Sequence, residues 1–221
     1  MKTMSSCLLV TCLLSAIAAT GYSLSCIECT TLGDTICNGT SKLCPSGDDS
    51  CISSYIVTYM GGMEISKMYI RQCGKRAMCS KSGSISLPNG RIKAGTTCCR
   101  TNDCAPSNPV LPGESTKKNG LSCKTCFSTN LKTCDSDLLT DCIGNETMCI
   151  YQVTTRTGDV SSTTAVQGCA TKDMCQPARQ LWNLGKMIVN VENTCSRSGI
   201  HVQPALILLI LSFSFFWKSL C

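Results

Sequence analysis

The chain has 221 residues, of which 21 are cysteine, 5% are aromatic and 15% are charged. So many cysteines are typical of an exported disulfide scaffold, because disulfides persist in oxidising compartments, and so few aromatic residues exclude a large aromatic core. The formal net charge of +6 is modest, and for an exported chain nucleic acid is not a serious partner.

The first 23 residues predict a secretory signal peptide. Lys2 supplies a positive charge, an apolar run extends from Cys7 to Ala19, and Gly21-Tyr22-Ser23 places small residues at the −3 and −1 positions of a cleavage site. Cys7 and Cys12 would leave with this segment.

The remaining cysteines form two series with almost the same spacing. Successive gaps are 3, 8, 7, 7, 22, 6 and 19 residues in the first series, and 3, 8, 8, 7, 20, 6 and 20 in the second. This agreement indicates two copies of one small disulfide-built module. The first series is Cys26, Cys29, Cys37, Cys44, Cys51, Cys73, Cys79, Cys98, Cys99 and Cys104, and the second is Cys123, Cys126, Cys134, Cys142, Cys149, Cys169, Cys175 and Cys195.

These eighteen cysteines can all be paired within their own copies, since one series has ten members and the other eight. A free catalytic thiol is therefore not expected. The Cys26-x-x-Cys29 and Cys123-x-x-Cys126 pairs also have the spacing of zinc knuckles, but the export signal favours disulfides. We predict no metal, no cofactor and no catalytic residue.

The spacing divides the chain into domain 1 (24–105), a linker (106–120) with three prolines and no cysteine, and domain 2 (121–195). Between the cysteines, β-branched and aromatic runs flank glycine turns and predict antiparallel hairpins. Helical periodicity is weak and confined to Ala178–Leu184. The predicted strands are Tyr55–Tyr59 and Ile65–Ile70 around Gly61-Gly62, Cys149–Val153 and Thr163–Val166 around Gly158-Asp159, and Lys186–Val191.

The Cys-x-x-Cys opening, the five cysteines after it and the Cys98-Cys99-x4-Cys104 ending resemble the lymphocyte-antigen-6/urokinase-receptor superfamily of three-finger domains. The resemblance covers both domains and implies an all-β, disulfide-rich fold of two tandem snake-toxin-like domains. It also implies a pairing that sequence alone leaves among 105 alternatives for eight cysteines. The implied bridges are Cys26–Cys51, Cys29–Cys37, Cys44–Cys73, Cys79–Cys98 and Cys99–Cys104, then Cys123–Cys149, Cys126–Cys134, Cys142–Cys169 and Cys175–Cys195.

Two departures from the family pattern bear on function. Ala105 stands where family domains usually have asparagine, and domain 2 stops at Cys195 without the adjacent cysteine and final small loop. Tandem domains of this kind look like gamma-type phospholipase A2 inhibitors of plasma or shorter relatives of the urokinase receptor. The departures suit the inhibitor-like branch slightly better.

Residues 196–221 predict a glycosylphosphatidylinositol (GPI) signal. Ser196 is the first choice of attachment site and Ser198 the second, a polar spacer follows, and the apolar run Ala205–Trp217 is too short for an ordinary spanning helix. Lys218 leaves a short single span as the alternative.

Two further features concern chemistry and modification. The only histidine, His201, lies in the spacer, which removes the usual histidine-dependent nucleophiles and metal sites from an anchored chain and predicts a protein that is not an enzyme. Asn38-Gly39-Thr40 and Asn145-Glu146-Thr147 are N-glycosylation triplets. Trp182 is interpreted as packing on the disulfide cluster, or else as an exposed anchor for a partner.

The sequence therefore predicts a non-enzymatic module that binds a protein ligand (a receptor, a protease or a secreted phospholipase A2) and is lipid-anchored at the cell surface. One alternative is a secreted phospholipase A2 inhibitor of the gamma type, and another is a soluble signalling or pheromone-like factor. Domain 1 is mildly basic, with nine basic and six acidic side chains. Its basic side chains are interpreted as an ordinary solvated face, or else as a patch for an acidic partner.

Overall fold

A computed structural model describes residues 23–33, 37–159, 161–184, 186–197 and 200–201. The predicted signal peptide up to residue 22 and the apolar tail from residue 202 lie outside the described residues and stay predictions. Within the described ranges, no helix is long and apolar enough to cross a membrane.

The described chain is almost entirely β-structure, as predicted. Two short 3-10 turns, Arg76–Met78 and Lys172–Cys175, occupy equivalent places in the two domains. The strands of domain 1 are β1 (Ser25–Leu32), β2 (Thr40–Leu43), β3 (Ser50–Met60), β4 (Met63–Gly74), β5 (Ser82–Leu87) and β6 (Gly90–Cys99). Those that follow are β7 (Lys118–Lys124), β8 (Cys126–Thr129), β9 (Leu139–Ile143), β10 (Met148–Thr157), β11 (Ser162–Ala170), β12 (Arg179–Leu184), β13 (Met187–Ser196) and β14 (Ile200–His201).

The predicted hairpins are confirmed where the sequence placed them. Strands β3 and β4 pair antiparallel around Gly61 and Gly62, whose φ angles of 58° and 80° are those of the tight turn that matches strand twist. Strands β10 and β11 form the corresponding hairpin of domain 2. These long hairpins are the fingers of each domain.

The weak helical signal at Ala178–Leu184 is wrong. Residues 179–184 form strand β12, which pairs with β13 from Arg179↔Glu192 to Leu184↔Met187. Six paired positions satisfy more backbone groups than one helical turn would, so sheet pairing overrides the local preference.

Within the described residues, nine disulfides hold the bases of the fingers, and each joins the two cysteines that the family resemblance implies. Cys26, Cys44, Cys51 and Cys73 are buried together in domain 1, while Cys123, Cys142 and Cys169 pack with Leu121 in domain 2. Sulfur thus supplies core volume as well as cross-links, which a module of this size needs.

The two domains share one sheet. Strand β5 of domain 1 pairs antiparallel with β11 of domain 2 at Ser86↔Cys169 and Ile85↔Ala170, which joins the strands in the order β12-β13-β10-β11-β5-β6-β3-β4-β1-β2. A buried apolar cluster crosses this junction between β5 and β11, which we call the seam. Its members are Ile85, Leu87, Ile150, Val166 and Ala170. The two modules are therefore docked through both backbone pairing and a common core.

The linker lies against the outer face of β6. Lys93, only 6% exposed, donates to the Pro112 carbonyl at 3.1 Å and bonds Glu114, which also pairs with Arg91 at 2.6 Å. The hydrogen bond from Lys93 holds the pKa of the Glu114 carboxyl below its ordinary value. Strand β7 begins at Lys118, inside the predicted linker. The linker is thus fastened to β6 at its midpoint, and the first strand of the second domain begins before the predicted end of the linker.

Candidate ligand-binding surface

One face of the shared sheet lines a cavity, here called the concave cavity, to which both domains contribute. Because side chains alternate across a strand, every second residue of each long strand points to this face. The resulting cavity has a volume of about 550 Å³. Its lining includes Ile56 and Thr58 of β3, Ile92 and Ala94 of β6, Gln152 and Thr154 of β10, Val189 and Val191 of β13, and Gln180 and Trp182 of β12.

Apolar side chains at the rim of this cavity remain in contact with solvent. Leu32 is 72% exposed, Ile65 59% and Phe127 50%, and all three line the cavity from different strands. Trp182 is half-buried and lines the same cavity from domain 2, where a partner could contact it. These three exposed apolar residues around one cavity make it the candidate binding surface.

Apolar side chains make up about half of the cavity lining, and several of the polar groups between them are already engaged with one another. Gln152 donates to the Asn193 side-chain carbonyl at 2.9 Å, and the Asn193 amide donates to the Met174 carbonyl at 3.1 Å. Lys81 of domain 1 pairs with Asp173 of domain 2 at 3.3 Å. A ligand would therefore be held mainly by apolar contact, with these polar groups giving orientation.

Several basic side chains of domain 1 form ion pairs. Lys67 pairs with Glu64 at 2.8 Å, Arg91 and Lys93 pair with Glu114, and Lys81 pairs with Asp173. The charges of these four residues are thus partly compensated locally, and both interpretations of the basic side chains of domain 1 stay predictions.

The modification sites predicted from sequence are all exposed. Asn38 follows buried Cys37 and is exposed, and Asn145 is exposed in the turn between β9 and β10. Ser196 is exposed at the end of β13, immediately after Cys195. These three residues remain proposed modification sites. None of them lines the concave cavity.

Sequence reasoning missed the polar contact that fixes the domains. Glu146 is 2% exposed, and its carboxylate accepts hydrogen bonds from the hydroxyls of Ser84 at 2.7 Å and Ser86 at 2.8 Å. The alternation Ser82-Gly83-Ser84-Ile85-Ser86-Leu87 was the available signal, because it is the period of a strand with one polar face. Nothing local in the sequence indicates that the partner is a carboxylate of the other domain.

Two other carboxylates are engaged in structural contacts. The Asp49 side chain accepts the Arg76 backbone N–H at 2.7 Å, which lowers the pKa of Asp49. Asp141 pairs with Lys118 at 2.6 Å and accepts from Ser122, and these contacts lower its pKa. Each of these acids stabilises a turn or strand pair, which is a structural use of the charge.

Two disulfide-pinned domains whose fingers share one sheet define a tandem three-finger protein. The family model described as the u-PAR/Ly-6 domain matches residues 22–107 and 119–199. Since this match covers more than half of the chain, the chain belongs to the u-PAR/Ly-6 domain family.

Known relatives include a receptor and one subunit of an inhibitor. A gamma-chain phospholipase A2 inhibitor of Elaphe climacophora is 25% identical over 171 residues, covering 76% of this chain and 84% of that protein. The urokinase plasminogen activator surface receptor of Aotus trivirgatus is 32% identical over 110 residues, covering 49% of this chain and 32% of the receptor. The crystal structure of mouse TEX101 is 17% identical, covers 77% of this chain and 96% of its own, and aligns with a TM-score of 0.35.

Proposed function

We propose that the chain is a non-enzymatic extracellular module that binds a protein ligand in the concave cavity and is displayed on the cell surface by a lipid anchor. The single observation that carries the binding role is the apolar rim of Leu32, Ile65 and Phe127 around a cavity built jointly by two docked domains. A surface held rigid by disulfides loses little conformational entropy on binding, so modest apolar contact suffices for affinity.

A matched pair of photo-crosslinking residues tests the binding face. Thr154 lines the cavity, and Thr155 follows it on the same strand with its side chain on the opposite face. Protein displayed on living cells with a photo-reactive residue at position 154 is expected to yield discrete crosslinked partners, and the variant at 155 is not. Crosslinks that arise equally from both positions, or only from 155, would contradict the assignment of the cavity.

The anchor proposal concerns Ser196. This residue is exposed and lies directly after the last disulfide of domain 2, so a lipid attached there would begin where the cross-linked domain ends. Treatment of expressing cells with a phosphatidylinositol-specific phospholipase is expected to release the protein into the medium, and Ser196→Leu is expected to reduce surface display. Protein that stays on the cell after this treatment points to a spanning helix, and full-length protein in untreated medium points to a secreted factor.

A second candidate function is inhibition of secreted phospholipase A2. It is favoured by the similarity to the gamma subunit of the phospholipase A2 inhibitor, whose match of 171 residues is longer than either domain alone. Recombinant residues 24–195 are then expected to inhibit the enzyme at micromolar concentration, and Ile65→Asp is expected to weaken inhibition at least about tenfold, because a charge would enter an apolar contact. Leu181→Asp is the control, since Leu181 is 65% exposed on the opposite face. Absence of inhibition by the unmodified domains removes this candidate while leaving the crosslinking test intact.

A further inference from the structure

A second cavity, of about 600 Å³, lies where both domains and the linker meet, and it shares Ser82 and Asp173 with the lining of the concave cavity. Unlike the concave cavity, it is lined chiefly by hydroxyl and charged groups. Ser82 and Arg91 come from domain 1, Pro112 and Glu114 from the linker, and Asn145 and Asp173 from domain 2. Its volume falls within the range of roughly 300–1,000 Å³ that small-molecule sites have.

Asn145 sits at this cavity in a fixed position. Its neighbour Glu146 is buried beneath Ser84 and Ser86 of domain 1, and the Glu146 backbone N–H donates to the Ile143 carbonyl at 3.1 Å. The Thr147 N–H in turn donates to the Asn145 carbonyl at 3.0 Å. The backbone of the glycosylation triplet is therefore held in a local turn, and the Glu146 side chain ties that turn to domain 1, while Asn145 stays exposed.

The chemistry of the cavity suits the base of an N-glycan. The first sugars of such a glycan carry hydroxyl and acetamide groups that exchange hydrogen bonds, together with flat apolar ring faces. The Ser82 hydroxyl, the Arg91–Glu114 ion pair and Asp173 offer partners for the polar groups, and Pro112 offers an apolar face. A sugar attached to Asn145 needs no separate binding event to reach them, since it is already tethered at the cavity.

We propose that the N-acetylglucosamine residues of an Asn145 glycan occupy this cavity and fasten the linker and the two domains together. The glycan then contacts three parts of the chain that are distant in sequence and that otherwise meet only through the seam and the linker contacts. Asn38 provides the contrast, because it and the residues after it through Leu43 are all exposed. A glycan at Asn38 extends into solvent without a comparable enclosure.

The test compares glycoforms of residues 24–195 produced in cells that make only high-mannose glycans. Mass spectrometry establishes occupancy, and endoglycosidase H trims each glycan to a single N-acetylglucosamine. We expect the trimmed protein to keep most of the thermal stability of the intact glycoform, and Thr147→Ala, which prevents attachment at Asn145, to lower Tm by roughly 2–4 °C. Amide exchange in residues 110–117 is expected to become at least about fivefold faster.

Two controls distinguish the effect of losing the Asn145 glycan from the effect of the amino-acid substitution itself. Thr40→Ala, which prevents attachment at Asn38, is expected to leave Tm and linker exchange unchanged. When both proteins are refolded without glycans, the Thr147→Ala variant is expected to have the same Tm and the same linker exchange as the parent protein. The proposal is overturned if Asn145 is unoccupied, if loss of its glycan leaves linker exchange unchanged, or if the two unglycosylated proteins differ as much as the glycosylated ones. None of these outcomes depends on the ligand of the concave cavity.

Discussion

Removal of the Cys142–Cys169 bridge is expected to cost about 3.5 kcal/mol of the free energy of unfolding, and so to unfold domain 2 near body temperature. The bridge closes a loop of 27 residues in sequence separation, and the loss of chain entropy in the unfolded state grows with loop length, which gives this figure. Both sulfurs also lie in the buried cluster beside Leu121, so Cys142→Ala/Cys169→Ala removes packing as well as a cross-link. Urea unfolding of residues 24–195 measures the effect.

The Cys99–Cys104 bridge of domain 1 provides the matched comparison. Its separation is only 5 residues, so the same entropy relation gives about 2 kcal/mol for Cys99→Ala/Cys104→Ala. Both sulfurs are half-buried, and domain 2 has no bridge at this place in its cysteine series. Equal losses for the two double variants, or a larger loss for the short bridge, would contradict the view that long cross-links replace an apolar core.

The sequence was sufficient for the parts of the fold that depend on local or periodic features. Gly61-Gly62 could be identified as a turn because few other residues adopt positive φ at two successive positions, and the cysteine spacing could be matched between copies because gaps survive when other residues change. Strand β12 could not be identified in this way because Trp182 and its neighbours have no strong local preference, and only pairing with β13 decides their conformation.

The seam between the domains depends on contacts that no local pattern encodes. Ser84 and Glu146 are 62 residues apart, and each alone has the character of an ordinary surface residue. The linker has the composition of a spacer because it is rich in proline and polar residues, but Lys93 and Glu114 fasten it to β6. Since the concave cavity has one wall from each domain, its existence too could be recognised only once the seam was known.

Gly168→Ala is expected to separate the two domains. Gly168 lies beside the β5–β11 pairing, and a methyl group added to it would collide with the Ser86 backbone carbonyl oxygen. Its φ lies outside the left-handed region, so the backbone of residue 168 itself tolerates alanine and the penalty is steric. A backbone carbonyl held by strand pairing does not move aside as a flexible side chain does. We therefore expect Gly168→Ala to weaken the association of the two domains by about 3 kcal/mol, near the upper end of the usual cost of an overpacked substitution.

The consequence is a protein with two folded domains and no concave cavity. All nine disulfides lie within single domains, so each module keeps its own fingers when the seam opens. Small-angle scattering is expected to show a larger radius of gyration, and amide exchange to accelerate in β5 and β11 but not in the β3–β4 hairpin. Gly113→Ala is the control, because an added methyl group there meets nothing within 4 Å. An unchanged radius of gyration for Gly168→Ala would show that the seam is not what holds the two walls of the cavity together.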